Sequence, residues 1–94
     1  MGTYAKLYVT LLEMLDAADA KSEKNIVAAN KRFSMTYSRV MPRHYEPNSP
    51  ADLYDQARNK LINSIEDFFN PREQRAELRE AKKLISKIKE KKYY

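Results

Sequence analysis

Lys83, Lys87 and Lys91 stand at four-residue steps inside the closing stretch KKLISKIKEKKYY, Lys82–Tyr94. On a helix that spacing lines three ammonium groups along one face. Such a row attracts phosphate or carboxylate, so it suits a nucleic acid or an acidic protein surface. Lysines near a helix C-terminus also complement the helix dipole, but that effect acts over about one turn and this run covers about three. A second group of cations lies upstream. Residues 24–44 hold five cations and no acid, among them Lys31, Arg32, Arg39 and Arg43.

Other chemistries find little support. His44 is the only histidine and lies in PRHYEP, beside Arg43 and between prolines. A metal site needs several His or Cys ligands at fixed spacing, and the chain has no cysteine. No metal or cofactor is therefore expected. Glu66 and Asp67 are adjacent and point about 100° apart on a helix, so they do not pair. Asp16 and Asp19 share a face at three-residue spacing, which reads as a solvated surface rather than an acid–base pair. The serines lack a nucleophile-elbow context, and the single glycine, Gly2, leaves no Gly-rich phosphate loop. No catalytic residue is assigned, and the expectation is a non-enzyme.

The elements that carry these residues are helices. Tyr4, Leu7, Tyr8, Leu11, Leu12, Leu15 and Ala18 form one apolar stripe at three- and four-residue steps. It predicts a helix over about residues 3–20, capped by Thr3. The polar stretch DAKSEKN then predicts a turn, with a kinked continuous helix as the alternative. A second stripe, Ile26, Ala29, Phe33, Tyr37, Val40 and Met41, predicts a helix over 23–41, stopped by Pro42. Three of the four prolines sit in PRHYEPNSP, a surface loop.

SPAD opens the third helix, with Ser49 as cap, Pro50 in the first turn and Asp52 facing the positive helix end. Its stripe is Leu53, Tyr54, Ala57, Leu61, Ile65 and Phe68, widened by Ile62 and Phe69, which predicts residues 50–69. NPRE repeats the signal at Asn70 and starts a fourth helix over 71–92. There Leu78, Ala81, Ile85 and Ile88, with Leu84 beside them, form a narrow seam spaced as in a coiled coil. The fold expected is an all-α bundle of three to four amphipathic helices in one domain, its C-terminal helix basic and coiled-coil-like.

Charge alternates along the chain. Residues 13–23 and 46–67 each carry a net charge of −3, whereas 24–44 and 82–94 each carry +5. These patches suit pairing within the bundle or between subunits, and steering toward a partner. Seven tyrosines are many for 94 residues. Tyr4, Tyr8, Tyr37 and Tyr54 fall on the stripes, whereas Tyr45, Tyr93 and Tyr94 do not and suit an interface.

Two stretches resemble known motifs. AANKRFSMTYSRVM, Ala28–Met41, is similar to a helix-turn-helix. The resemblance implies that Phe33 closes one helix, Ser34 takes the turn, and Lys31, Arg32 and Arg39 reach DNA. KLYVTLLEML, with the later ADLYDQARNKL, resembles the LYR-motif family of small basic three-helix mitochondrial accessory factors. Those bind larger complexes and an acyl carrier protein. Leu7 and Tyr8 match, but Val9 stands where that family carries its arginine.

The leading expectation is a non-enzymatic protein-binding module: an accessory subunit, adaptor or inhibitor. Leu78, Ala81, Leu84, Ile85, Ile88, Tyr93 and Tyr94 would meet another protein or a second copy. Lys31, Arg32, Arg39, Arg43, Lys83, Lys87 and Lys91 would meet an acidic partner or nucleic acid, and nucleic-acid binding is the alternative. No apolar run reaches the ~20 residues of a membrane span. The N-terminus lacks a secretory h-region, so an intracellular place, cytoplasmic or within a larger assembly, is expected.

Overall fold

The structure is a computed structural model that describes residues 2–94. Among these residues it is all-helical, with four α-helices in a bundle. They are α1 (Ala5–Asp19), α2 (Glu23–Val40), α3 (Pro50–Asn63) and α4 (Pro71–Glu90). A 3-10 turn, Ser64–Asp67, continues from α3. The helices pack chiefly as two pairs, α1 with α2 and α3 with α4, and α1 crosses to α3. No helix among the described residues is long and apolar enough to cross a membrane.

The caps explain most of the boundaries. Ser49 Oγ accepts from the Asp52 amide at 3.3 Å, and Asn70 Oδ1 accepts from the Glu73 amide at 3.4 Å. Each cap satisfies one orphan donor of a helix that opens with proline. The expected Thr3 cap does not form. Tyr4 occupies that place and offers no side-chain acceptor. A real break separates α1 from α2: Lys21 takes φ 54°, and Ser22 caps α2 by accepting from the Asn25 amide. The Ser22 amide donates to Ala17 O and the Lys21 amide to Ala18 O, the pairing of a Schellman turn. That turn usually uses glycine, and here a lysine takes the left-handed backbone.

Three expectations about the helices need correction. First, α2 runs unbroken through Phe33 and Ser34, so the helix-turn-helix does not form. Phe33 and Tyr37 stack one turn apart at 5.6 Å, which a turn at Ser34 would separate. Second, α3 ends at Asn63 rather than Phe69. The buried Ser64 hydroxyl donates to Leu61 O at 2.6 Å, and the chain tightens into the 3-10 turn. This rotation leaves Phe68 half-buried and turns Phe69 wholly into solvent, at 100% exposure. Third, Leu12 is exposed while Met14, absent from the first stripe, is fully buried.

The core joins Leu7, Leu11, Met14, Ile26, Phe33, Tyr54 and Leu61 with Leu78, Ala81, Ile85 and Ile88 of α4. The seam of α4 thus packs against its own chain. Gln74, buried on the same face, donates to Ala18 O at 3.1 Å and ties the start of α4 to the end of α1.

Candidate binding site: the solvent face of the C-terminal helix

The burial of the α4 seam decides where a site can lie. Leu78, Ala81, Ile85 and Ile88 are each at most 8% exposed, and Leu84 is half-buried beside them. Apart from an edge of Leu78, they cannot meet a partner while the bundle is closed. The physical reason is the size of the chain: three helices leave one flank of a small core open, and the most amphipathic helix closes it.

The expected contacts at Tyr93 and Tyr94 are likewise engaged within the chain. Lys92 adopts φ 57° and reverses the backbone after α4. The Tyr93 amide then donates to Ile88 O at 3.0 Å, a second Schellman turn without glycine. The buried Tyr54 hydroxyl donates to Tyr93 O at 2.6 Å, and the ring of Tyr94 stacks on Tyr8 at 4.9 Å. Burial pushes the Tyr54 phenol well above its ordinary value. The end of the described chain is a folded strap over the tyrosine end of the bundle, and Tyr94 keeps 42% of its surface.

What α4 offers to solvent is its other face. Arg75, Arg79, Lys83 and Lys87 follow at four-residue steps, each about 6 Å further along the axis. With Lys82, Ser86 and the edge of Leu78 they line a shallow groove, and Asp19 and Glu90 line it too. Lys83 makes a solvent-exposed ion pair with Glu80 at 3.7 Å. Among the described residues, no ion pair engages Arg75, Arg79, Lys82 or Lys87. The groove is a cationic strip with aliphatic stems and little internal neutralisation. Lys91 lies beyond it, exposed at the cap of the helix.

The other predicted cations lie elsewhere. Lys31, Arg32, Arg39 and Arg43 are all exposed, on α2 and the loop after it. α2 packs chiefly on α1 and α4 chiefly on α3, which sets the two basic clusters on different helix pairs. Arg32 is paired with Glu13 of α1, a contact between the acidic and basic blocks of the sequence.

A second polar cluster fastens the loop between α2 and α3. Tyr37 Oη donates to Ala51 O at 2.9 Å, and Tyr45 Oη donates to Asp55 at 3.0 Å. Arg58 pairs with Asp55 at 2.6 Å and covers the Phe33 ring at 5.4 Å. Burial, reinforced by the Asp55 charge, pushes the Tyr37 phenol up to about 12. Every strong donor here is spent on positioning. His44 is exposed in the same loop, and Asp16 and Asp19 are exposed on α1. Among the described residues no group of three His, Cys, Asp or Glu is placed to hold a metal.

Sequence reasoning missed Arg75, Arg79 and Lys82. Their signal was present, because the row Lys83–Lys87–Lys91 extends backward at the same spacing to Arg79 and Arg75. The acids Glu73, Glu77 and Glu80 neutralise residues 68–81 in a net count and hid it. On the folded helix, Glu77 instead turns toward α3, where Lys60 lies 3.9 Å away.

The fold and the site define a small all-α bundle with a cationic external groove. No family model, curated protein or solved structure matches the chain.

Proposed function

We propose that this chain is a non-enzymatic protein-binding module, an adaptor, accessory subunit or inhibitor, that docks an acidic partner along the outer face of α4. The observation that carries this reading is the cation row with aliphatic stems on the outer face of α4, where five cations outnumber the two acids Asp19 and Glu90. The contact set therefore moves from the seam to Arg75, Arg79, Lys82, Lys83 and Lys87. Cations on a rigid helix favour fast, steered encounter, and the aliphatic stems and Leu78 add apolar contact.

Nucleic-acid binding is the second reading, favoured by the same regular cation row. Two observations rank it lower. The helix-turn-helix does not form, and no aromatic lines the groove to stack on a base. Polarisation titrations against a labelled acidic helical peptide and a single-stranded oligonucleotide separate the two. At about 50 mM salt the peptide should bind, and affinity should fall as salt rises toward about 500 mM. The triple variant Arg79→Glu, Lys83→Glu, Lys87→Glu should lose that binding. No affinity for the peptide at low salt defeats the proposal, and tight binding of the oligonucleotide alone installs the second reading.

A further inference from the structure

The link between α3 and α4 ends in an unusual exposure. In SIEDFFN, Ser64–Asn70, the ring of Phe69 is 100% exposed, while its neighbour Phe68 packs against the core. Nothing local demands an aromatic at position 69. Asn70 supplies the cap and Pro71 the first residue of α4. Two carboxylates stand just before the ring, Glu66 exposed and Asp67 half-buried. The segment is thus an apolar knob with an acidic shoulder. The α4 groove is its complement, lined by the aliphatic stems of five cations and the edge of Leu78, with only Asp19 and Glu90 as acids.

We propose that the chain associates with itself, the Glu66–Phe69 knob of one copy seated in the α4 groove of another. This rests on the groove being a docking site and names its occupant as a second copy. A copy cannot fill its own groove in this way. Phe69 sits just before α4, whereas the groove runs along that same rigid helix from Arg75 to Glu90. Two reciprocal contacts close a twofold dimer, and a one-way contact leaves a knob and a groove free and extends a chain. Charge supports the pairing, because the five cations of the groove outnumber its two acids, Asp19 and Glu90, so Glu66 and Asp67 meet a net positive rim.

Sedimentation velocity on the full chain tests this. At low salt and rising concentration the mass should climb above the 11.1 kDa monomer, and high salt should reverse it. Phe69→Ser should leave the circular dichroism spectrum unchanged, since the ring touches nothing, and return the protein to monomer. Lys83→Glu with Lys87→Glu should do the same, and Glu66→Lys added to that pair should restore part of the association. A wild type that stays monomeric at low salt overturns the proposal, as does association that Phe69→Ser leaves intact. A monomer that still binds the acidic peptide defeats self-association alone. Loss of both removes the docking groove itself.

Discussion

The two faces of α4 are built from interleaved residues of one helix and answer to different physics. On the inner face Leu78, Ala81, Ile85 and Ile88 are locked into the core beside Tyr54, Leu61 and Phe33. On the outer face Arg75, Arg79, Lys83 and Lys87 stand in water. Packing is short-ranged and intolerant of volume or charge errors. Exposed charge is long-ranged, screened by salt and forgiving of substitution. A helix with both faces can therefore complete a small core and still carry a separate external task.

The sharpest way to break this division is a charge on the inner face. Ile88→Asp places a carboxylate where there is no solvent. The expected cost is about 4 kcal/mol or more, a large part of the stability of a domain this size. Urea denaturation followed by circular dichroism should show an unfolded or severely weakened chain. If α4 instead peeled away with the rest intact, the inner seam would be a docking face after all.

Tyr54 sharpens the comparison at the end of the helix. Its hydroxyl is the donor that holds Tyr93 O, so Tyr54→Phe leaves a partly buried carbonyl short of a partner, with an expected loss of about 1 kcal/mol. Hydrogen exchange at the amides of Lys92 and Tyr93 should rise more than at the start of α4. The sign of the pH effect follows from the same group. The folded-state pKa of Tyr54 lies above the unfolded value near 10, and Tyr37 is raised to about 12. Their contribution is complete below pH 10 and is lost as pH climbs toward 12, because the folded state disfavours the phenolate. An alkaline melt of wild type should show this loss, and the double variant Tyr37→Phe, Tyr54→Phe should flatten it.

How much of this was legible from sequence depends on which signals were local. The all-α class followed from periodicity, and the starts of α3 and α4 from SPAD and NPRE, because caps and prolines act within one turn. The ends were harder. Neither Lys21 nor Lys92 announces a left-handed backbone, since the usual signal is glycine and the chain has none inside. Without that turn the terminal tyrosines had no visible place in the fold. Phe69 misled for a related reason. Its spacing continues the stripe of α3 only if the helix continues, and Ser64 ends it. The candidate site was half legible. The lysine row was plain, but the seam beside it looked free because periodicity shows which face is apolar and not what covers it.

Lys92→Gly tests the helix end with a smaller effect. Glycine reaches φ 57° without the steric cost a lysine side chain bears there, so the variant should gain up to about 1 kcal/mol. The charge lost is one of many and exposed, so the thermal midpoint should rise rather than fall. A drop would mean that the Lys92 side chain, not its backbone, holds the strap.

The smallest expected change in stability belongs to the outer face. Lys83→Glu with Lys87→Glu removes one exposed ion pair, Lys83–Glu80, and sets like charges at one-turn spacing. Pairs of this kind are worth about 0.2–0.5 kcal/mol each on an exposed helix, so the folded state should barely notice. Two reversals change the net charge by four, from +5 to +1, and do so on one strip. Electrophoretic mobility and the salt dependence of peptide binding should therefore shift strongly while the urea midpoint stays nearly fixed. A large loss of stability instead would show that these lysines pack against the bundle through their stems. The two faces of α4 would then not be separable, and the groove would belong to the core rather than to a partner.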